Sequence, residues 1–349
     1  MTDMKQYGYT ETEPPPEGLI PGRVTAVHKE RYELMTPLGP LFGRLKTGVY
    51  YGDGDELFPA AGDFVWFRAV QGGDGQIVKT LPRKSRFIRK DPNPNAGSQT
   101  VAANIDYVFI MTSLNRDFNV NRAQRYLVLA RQSGAVPVII LTKADLADDP
   151  DIQVKSMRSI AGDTDIIPVS VVSGTGLDRL NAYLTPGKTV VFLGMSGVGK
   201  SSLLNLLMGQ DVMTVKEIRE EDSRGRHTTT HRQLFMLPSC AMVIDTPGMR
   251  SLGMWEAEDG VSGTFTDVEA LVGTCRFSDC RHQSEPGCAI LTAIENGELS
   301  ADRWAEYNNL KREVLYSVDK AAAMRDKWAR NKSIAKWSRQ RQKNGDIQF

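Results

Sequence analysis

The chain has 349 residues, 41% hydrophobic and 24% charged, and its 43 Lys plus Arg against 42 Asp plus Glu leave a formal net charge of +1. At about 100 to 200 residues per domain this length calls for two or three folded domains, and the near-neutral total by itself indicates neither an acidic nor a basic partner. The longest uncharged apolar run, 135–141, falls far short of the ~20 residues that cross a bilayer, and no apolar core follows a basic start, so no membrane association, no secretory signal and a cytoplasmic location are expected.

Residues 1–18 are polar and Pro-rich and read as a flexible tail. Over 19–92, short β-rich runs at 23–27, 32–35, 41–45, 63–70 and 75–80 are punctuated by Gly, Pro and Asp, the pattern of a small barrel. Five Lys or Arg crowd into 83–90 and breakers follow, so this stretch reads as basic and mobile, with the linker proper at 93–103. From 104 to about 262, buried strands alternate with helices, which implies a mainly parallel sheet covered on both faces. The remaining segment, 263–349, holds a short helix, a cysteine cluster and a long helical tail.

The strand TVVFLG runs into Gly194, Met195, Ser196, Gly197, Val198, Gly199, Lys200 and Ser201, and a helix follows. This is a P-loop in residues and in context: the glycines let backbone N–H groups face a phosphate, Lys200 reaches the β and γ oxygens, and the Ser201 hydroxyl ligates magnesium. A second strand, AMVIDTPG, ends in Asp245, which holds magnesium through water, and Gly248, whose amide senses the γ-phosphate. Between them lies a Thr-rich loop in which Thr228 or Thr229 supplies the other magnesium ligand. A third strand, PVIILT, delivers Thr142, Lys143, Ala144 and Asp145, where the carboxylate accepts from the ring N–H and amino group of guanine, a pair adenine lacks. Ser170, Val171 and Val172 complete the base pocket with backbone contacts.

The order is inverted. GTPases ordinarily present the P-loop first, whereas here the base motif precedes it by about fifty residues. The reading is a circularly permuted GTPase, an arrangement open to folds whose original termini lie close together.

In the last region Cys275, Cys280, His282 and Cys288 fall within fourteen positions, a Cys₃His set that suits one structural zinc ion in tetrahedral geometry. Trp304, Tyr307, Leu310, Val314 and Val318 make an apolar helical stripe expected to pack on a domain. Between 319 and 343, nine Lys or Arg face two Asp, with Trp328 and Trp337 interleaved, which suits phosphate contact and base stacking on RNA.

With T-K-A-D at 142–145, G-M-S-G-V-G-K-S-S at 194–202, R-H-T-T-T-H-R at 226–232, D-T-P-G-M-R at 245–250 and the Cys/His cluster, the chain resembles the ribosome small-subunit-dependent GTPase A family (RsgA/YjeQ) over nearly its full length. The resemblance implies a multidomain protein: an OB-fold barrel, a permuted α/β P-loop GTPase domain and a zinc-binding C-terminal domain with a helical tail. It also adds Ser202 to the nucleotide site. It implies a monomeric maturation factor that binds GTP or GDP and the small (30S) ribosomal subunit with its 16S rRNA, its hydrolysis stimulated by the subunit and driving release.

The position after D-x-x-G that often holds a water-orienting Gln is Met249 here, so slow intrinsic hydrolysis is expected, with His227 or His231 as local candidates for the missing role. Two other readings compete: an RNA chaperone with incidental hydrolysis, and a P-loop ATPase or kinase indifferent to Asp145.

Overall fold

Alternating inward and outward side chains build five N-terminal strands, β1 (Ile20–Val27), β2 (Tyr32–Thr36), β3 (Gly39–Leu45), β4 (Phe64–Arg68) and β5 (Gly75–Thr80), with a one-turn helix α1 (Thr47–Tyr50) between β3 and β4. The structure is a computed structural model that describes residues 1–10, 13–28, 31–50, 57–90, 98–115, 118–212, 233–245 and 257–315. Neighbours run β1-β2-β3-β5-β4 and back to β1, so the five strands close into a barrel in which only β3 and β5 are parallel. Val24, Tyr32, Leu34, Tyr50, Val65, Phe67 and Ile77 fill its interior.

Two expectations along this stretch are corrected. The start of the supposed tail is ordered: Met4–Tyr7 form a 3₁₀ turn capped by Asp3, Met4 is buried, and the Tyr9 ring lies 5.4 Å from Phe64. Two anchors in ten residues make no periodic pattern, so the sequence reads as polar. The expected linker at 93–103 is strand from Ser98 on: β6 (Arg86–Lys90) pairs with β7 (Ser98–Ala103), and Val101, Ala102 and Ala103 are buried. Nor is Arg83 a mobile cation, because it forms a buried bidentate pair with Asp63 at 2.7 and 2.8 Å.

Next come β8 (Tyr107–Ser113), α2 (Val120–Gln132), β9 (Val136–Thr142), α3 (Pro150–Ala161), β10 (Asp165–Val169), α4 (Leu177–Leu180), β11 (Thr189–Gly194), α5 (Lys200–Met208), β12 (Gln233–Met236) and β13 (Met242–Asp245). The helices start where the sequence supplies caps. Asn119 accepts from the Arg122 N–H, and Asp149 caps α3 with Pro150 in its first turn. The strand order is β10-β9-β8-β11-β13-β12, parallel except for β12. All six residues of β11 and six of the seven in β8 are buried, as strands covered on both faces require.

The free edge of β12 pairs with β1 at Gln233 and Ala26, so barrel and parallel sheet form one eleven-stranded sheet within one compact unit, Met1–Ile88 with Thr100–Ser251. Backbones meet closely at the joint. A Cβ on Gly62 (φ 89°) would lie 2.2 Å from the Ala103 carbonyl oxygen, so only glycine fits there. Arg23, 1% exposed, donates to the carbonyls of Tyr7 and Asn104 and to the Thr189 hydroxyl and lies over the Phe64 ring.

The second unit, Arg89–Gln99 with Leu252–Phe349, contains α6 (Glu258–Thr264), α7 (Thr266–Glu269), α8 (Ala289–Glu295) and a helix, α9, over 301–315. The expected stripe packs here: Tyr307, Leu310 and Val314 are buried, with the Tyr307 ring edge-on to Phe265. Arg303 locks α9 to α7 by a bidentate pair with Asp267 at 2.8 and 3.0 Å. Val318 and the basic tail with its two Trp lie outside the described residues. Among the described residues no helix is long and apolar enough to cross a membrane.

Candidate functional site

In a parallel sheet all carboxyl ends face one way, and ligands bind there, where strand order reverses. Thr142 ends β9, Ser170 follows β10, Gly194 ends β11 and Asp245 ends β13, so three motifs about fifty residues apart in the chain converge on one edge. Register places Gly194 opposite Met111 of β8, and Ser113 of β8 opposite Thr142, which sets the P-loop and the base motif on either side of β8.

The P-loop leaves β11 with Gly197 at φ 74° and Gly199 at φ 99°, conformations that cost a side-chain-bearing residue about 1 kcal/mol or more. Val198 between them is buried and plugs the loop onto the core below. Lys200 opens α5, and its ammonium donates to the Gly194 and Met195 carbonyls at 2.8 and 2.6 Å. Ser196 and Gly197 are exposed at the rim, and Met195, Ser201 and Ser202 are half-buried.

At the base end Lys143 takes φ 56°, a strained turn that brings Asp145 out to the surface with Ala144 buried behind it. The Ser170 hydroxyl donates to Asp145 Oδ1 at 2.5 Å, while the loop after β10 folds onto Ser170 through Ser170 N to the Thr175 carbonyl and Ser173 N to Ser170 Oγ. Backbone contacts are what the sequence suggests for Ser170; the structure adds a side-chain role, orienting the carboxylate. Val171 packs on the core and Val172 is 87% exposed. Thr142 also carries more than its motif indicates: its hydroxyl donates to the Val198 carbonyl at 2.6 Å, tying base motif to P-loop. A short hydroxyl side chain at a strand end, opposite another loop, is the one signal in the sequence for such a tie.

Asp245 is half-buried at the end of β13, beside β11. His227, Thr228, Thr229, His231, Gly248 and Met249 lie outside the described residues.

In the second unit Cys275, Cys280, His282 and Cys288 bring their ligand atoms within 4.8 Å of one another. His282 Nδ1 stands 3.4, 3.7 and 3.4 Å from the three sulfurs, and Cys275 and Cys288 sulfurs are 4.0 Å apart. Tetrahedral bonds of about 2.3 Å to sulfur and 2.0 Å to nitrogen put ligand atoms about 3.5 to 3.8 Å apart. The cluster therefore fits a tetrahedral metal ion, and all four cysteines of the chain are free of disulfides. The Glu285 carboxylate accepts from the amides of Ser284, Gln283 and Arg281, which pulls its pKa down to about 2 and folds the ligand loop on itself. His282 reaches its ligand position with φ 57° and packs edge-on to Trp304.

A sequence model described as RsgA GTPase matches residues 80–255, about half of the chain. A relative from Lactiplantibacillus plantarum named small ribosomal subunit biogenesis GTPase RsgA 2 is 44% identical over 301 residues, 86% of this chain and 84% of the relative. The chain belongs to the RsgA GTPase family. It is therefore a GTP hydrolase. An RsgA of Methanosarcina acetivorans is 40% identical over 303 residues, covering 86% of this chain and 81% of its own. The structure of YjeQ from Thermotoga maritima superposes with a TM-score of 0.63 at 27% identity, covering 85% of this chain and 99% of that one. YloQ, described as a circularly permuted GTPase, superposes at 0.58 with 25% identity, covering 89% and 96%. A second model, described as 50S ribosome-binding GTPase, matches 189–342 and so begins at β11, whereas in this chain β9 and β10, with Thr142–Asp145 and Ser170 at their ends, come earlier. The expected architecture of barrel, permuted GTPase domain and Cys/His region stands.

Proposed function

We propose that the chain is a GTP-driven switch that binds the small (30S) ribosomal subunit and its 16S rRNA as a monomer in the cytoplasm, acts late in subunit maturation, and leaves when the subunit stimulates hydrolysis. The observation that carries the nucleotide half is the convergence of Asp145, the P-loop and Asp245 on one sheet edge. The subunit half rests on the name shared by the relatives, small ribosomal subunit biogenesis GTPase.

In this reading Asp145 with Lys143 and Ala144 selects guanine, and residues 194–202 cradle the phosphates on backbone N–H groups. Lys200 leaves the loop carbonyls for the β and γ oxygens. Ser201 and one of Thr228 or Thr229 hold magnesium, Asp245 holds it through water, and the ion neutralises charge on the transferred phosphoryl group. Gly248 reports the γ-phosphate, and His227 is the candidate to orient water where Met249 offers no side-chain amide. Zinc is the ion proposed for Cys275, Cys280, His282 and Cys288, because a closed Cys₃His tetrahedron is a structural zinc set.

The test is GTP turnover by the full chain alone, with small subunits and with large subunits, repeated with His227→Ala. Strong stimulation by small subunits, lost in His227→Ala, is expected. No stimulation by either subunit removes the switch and favours an RNA chaperone; stimulation by large subunits alone reassigns the partner.

A further inference from the structure

Arg122, on the first turn of α2, shares a cavity of about 10 Å³ with Met111 and Ser113 of β8 and with Met195, Ser196 and Val198 of the P-loop. A space of that size holds about one water, so Arg122 and the loop face each other at close quarters. The arginine is half-buried and is the only charged residue lining the cavity.

Nothing in α2 itself calls for a cation at this position. The first turn of a helix carries the positive end of its dipole and favours carboxylates, yet this turn has no acidic residue and holds an arginine. Its backbone is already served, because the Asn119 side chain accepts from the Arg122 N–H at 2.8 Å. A charge set against the local preference answers to something outside the helix.

The P-loop that separates Arg122 from a bound nucleotide is one backbone thick, about 5 Å. Charges act over about 8 Å at physiological salt, and further where protein excludes water. Phosphates cradled on the inner face of the loop therefore lie in the field of a guanidinium on its outer face. GTP carries more negative charge than GDP, and the charge on the phosphoryl and bridging oxygens is what must be stabilised during transfer.

Resting on the reading of residues 194–202 as the phosphate site, we infer that Arg122 is a positioning residue for hydrolysis that works through the P-loop. It backs Lys200 with a second positive charge without touching the nucleotide. Its field favours GTP over GDP and the transition state over both.

The test is equilibrium binding of GDP and of the non-hydrolysable GTP analogue GMP-PNP, with magnesium, together with kcat and KM for GTP, in the full-length wild type, Arg122→Gln and Arg122→Lys. Arg122→Gln should weaken GMP-PNP about ten-fold, weaken GDP no more than about three-fold, and lower kcat about ten-fold. Arg122→Lys keeps the charge and should recover most of each loss, and both variants should unfold at the wild-type temperature. Wild-type kcat and GMP-PNP affinity in Arg122→Gln overturn the inference. Equal weakening of GDP and GMP-PNP overturns it too, because an arginine that only braces the loop by packing serves both nucleotides alike. A wild-type chain that binds neither nucleotide overturns the phosphate-site reading, and the inference with it.

Discussion

Ser170 and Lys200 show how single side chains set the site. The Ser170 hydroxyl holds one oxygen of Asp145, and Ser170 itself is fully buried, so its position is set by the core rather than by the ligand. Ser170→Ala should weaken GTP binding at least about ten-fold, the worth of one hydrogen bond to a charged group, and leave ATP binding unchanged; paired titrations measure both. Lys200 is half-buried and bonded to loop carbonyls, so Lys200→Ala should reduce hydrolysis at least about 100-fold while far-UV circular dichroism stays native. The placement of Lys200, Ser201 and Asp145 just beyond strand ends was legible in the sequence, because each follows a buried apolar run in a motif of fixed spacing. The hydroxyl ties of Thr142 and Ser170 were not, because each spans 25 or more positions and any small polar residue satisfies the local pattern.

At the scale of elements, the ligand loop depends on Glu285 as well as on the four ligands. Three backbone N–H groups, from Arg281, Gln283 and Ser284 on either side of His282, converge on that carboxylate. Glu285→Ala should lower metal affinity about ten-fold, measured by competition with a chelating dye, because the loop must then be ordered by the metal alone. Removal of the metal should unfold 257–315 and leave nucleotide binding intact, read as loss of one of two thermal transitions. The Cys/His spacing and the stripe Tyr307, Leu310, Val314 were readable, since metal ligands and helical periodicity are both local signals. Glu285 stood in the same polar loop with nothing to mark it, because its partners are backbone groups.

Across the whole first unit, barrel and GTPase sheet are joined by buried charge. Burial pulls Arg23 down to about 10, countered by Asp106 and Asp63. Arg23→Met strands the Tyr7 and Asn104 carbonyls and should destabilise this unit by about 3 kcal/mol in urea unfolding. Burial also pushes Asp106 upward, but the Lys84 ammonium and the Thr189 amide, with Lys188 nearby, outweigh it and hold the carboxyl below its ordinary value. A depressed carboxyl stabilises the fold above its unfolded pKa of about 4 and loses that contribution as pH falls through the folded value. Asp106→Asn should therefore flatten the decline in Tm between about pH 6 and pH 3 relative to wild type.

The sequence alone determined the order of the motifs, T-K-A-D before the P-loop, the Cys₃His set that fits a metal ion, and strands short enough for a barrel. These are local patterns of residue type and period, so one dimension carries them. Only the tertiary structure decided that the barrel continues the GTPase sheet through β1 and β12, that Arg83 and Lys84 are spent on Asp63 and Asp106, and that Thr142 ties the base motif to the P-loop. The reason is common to all three. Each is a pairing between groups 20 or more residues apart, and which donor meets which acceptor is settled by how the packed layers bring backbone and side chains together.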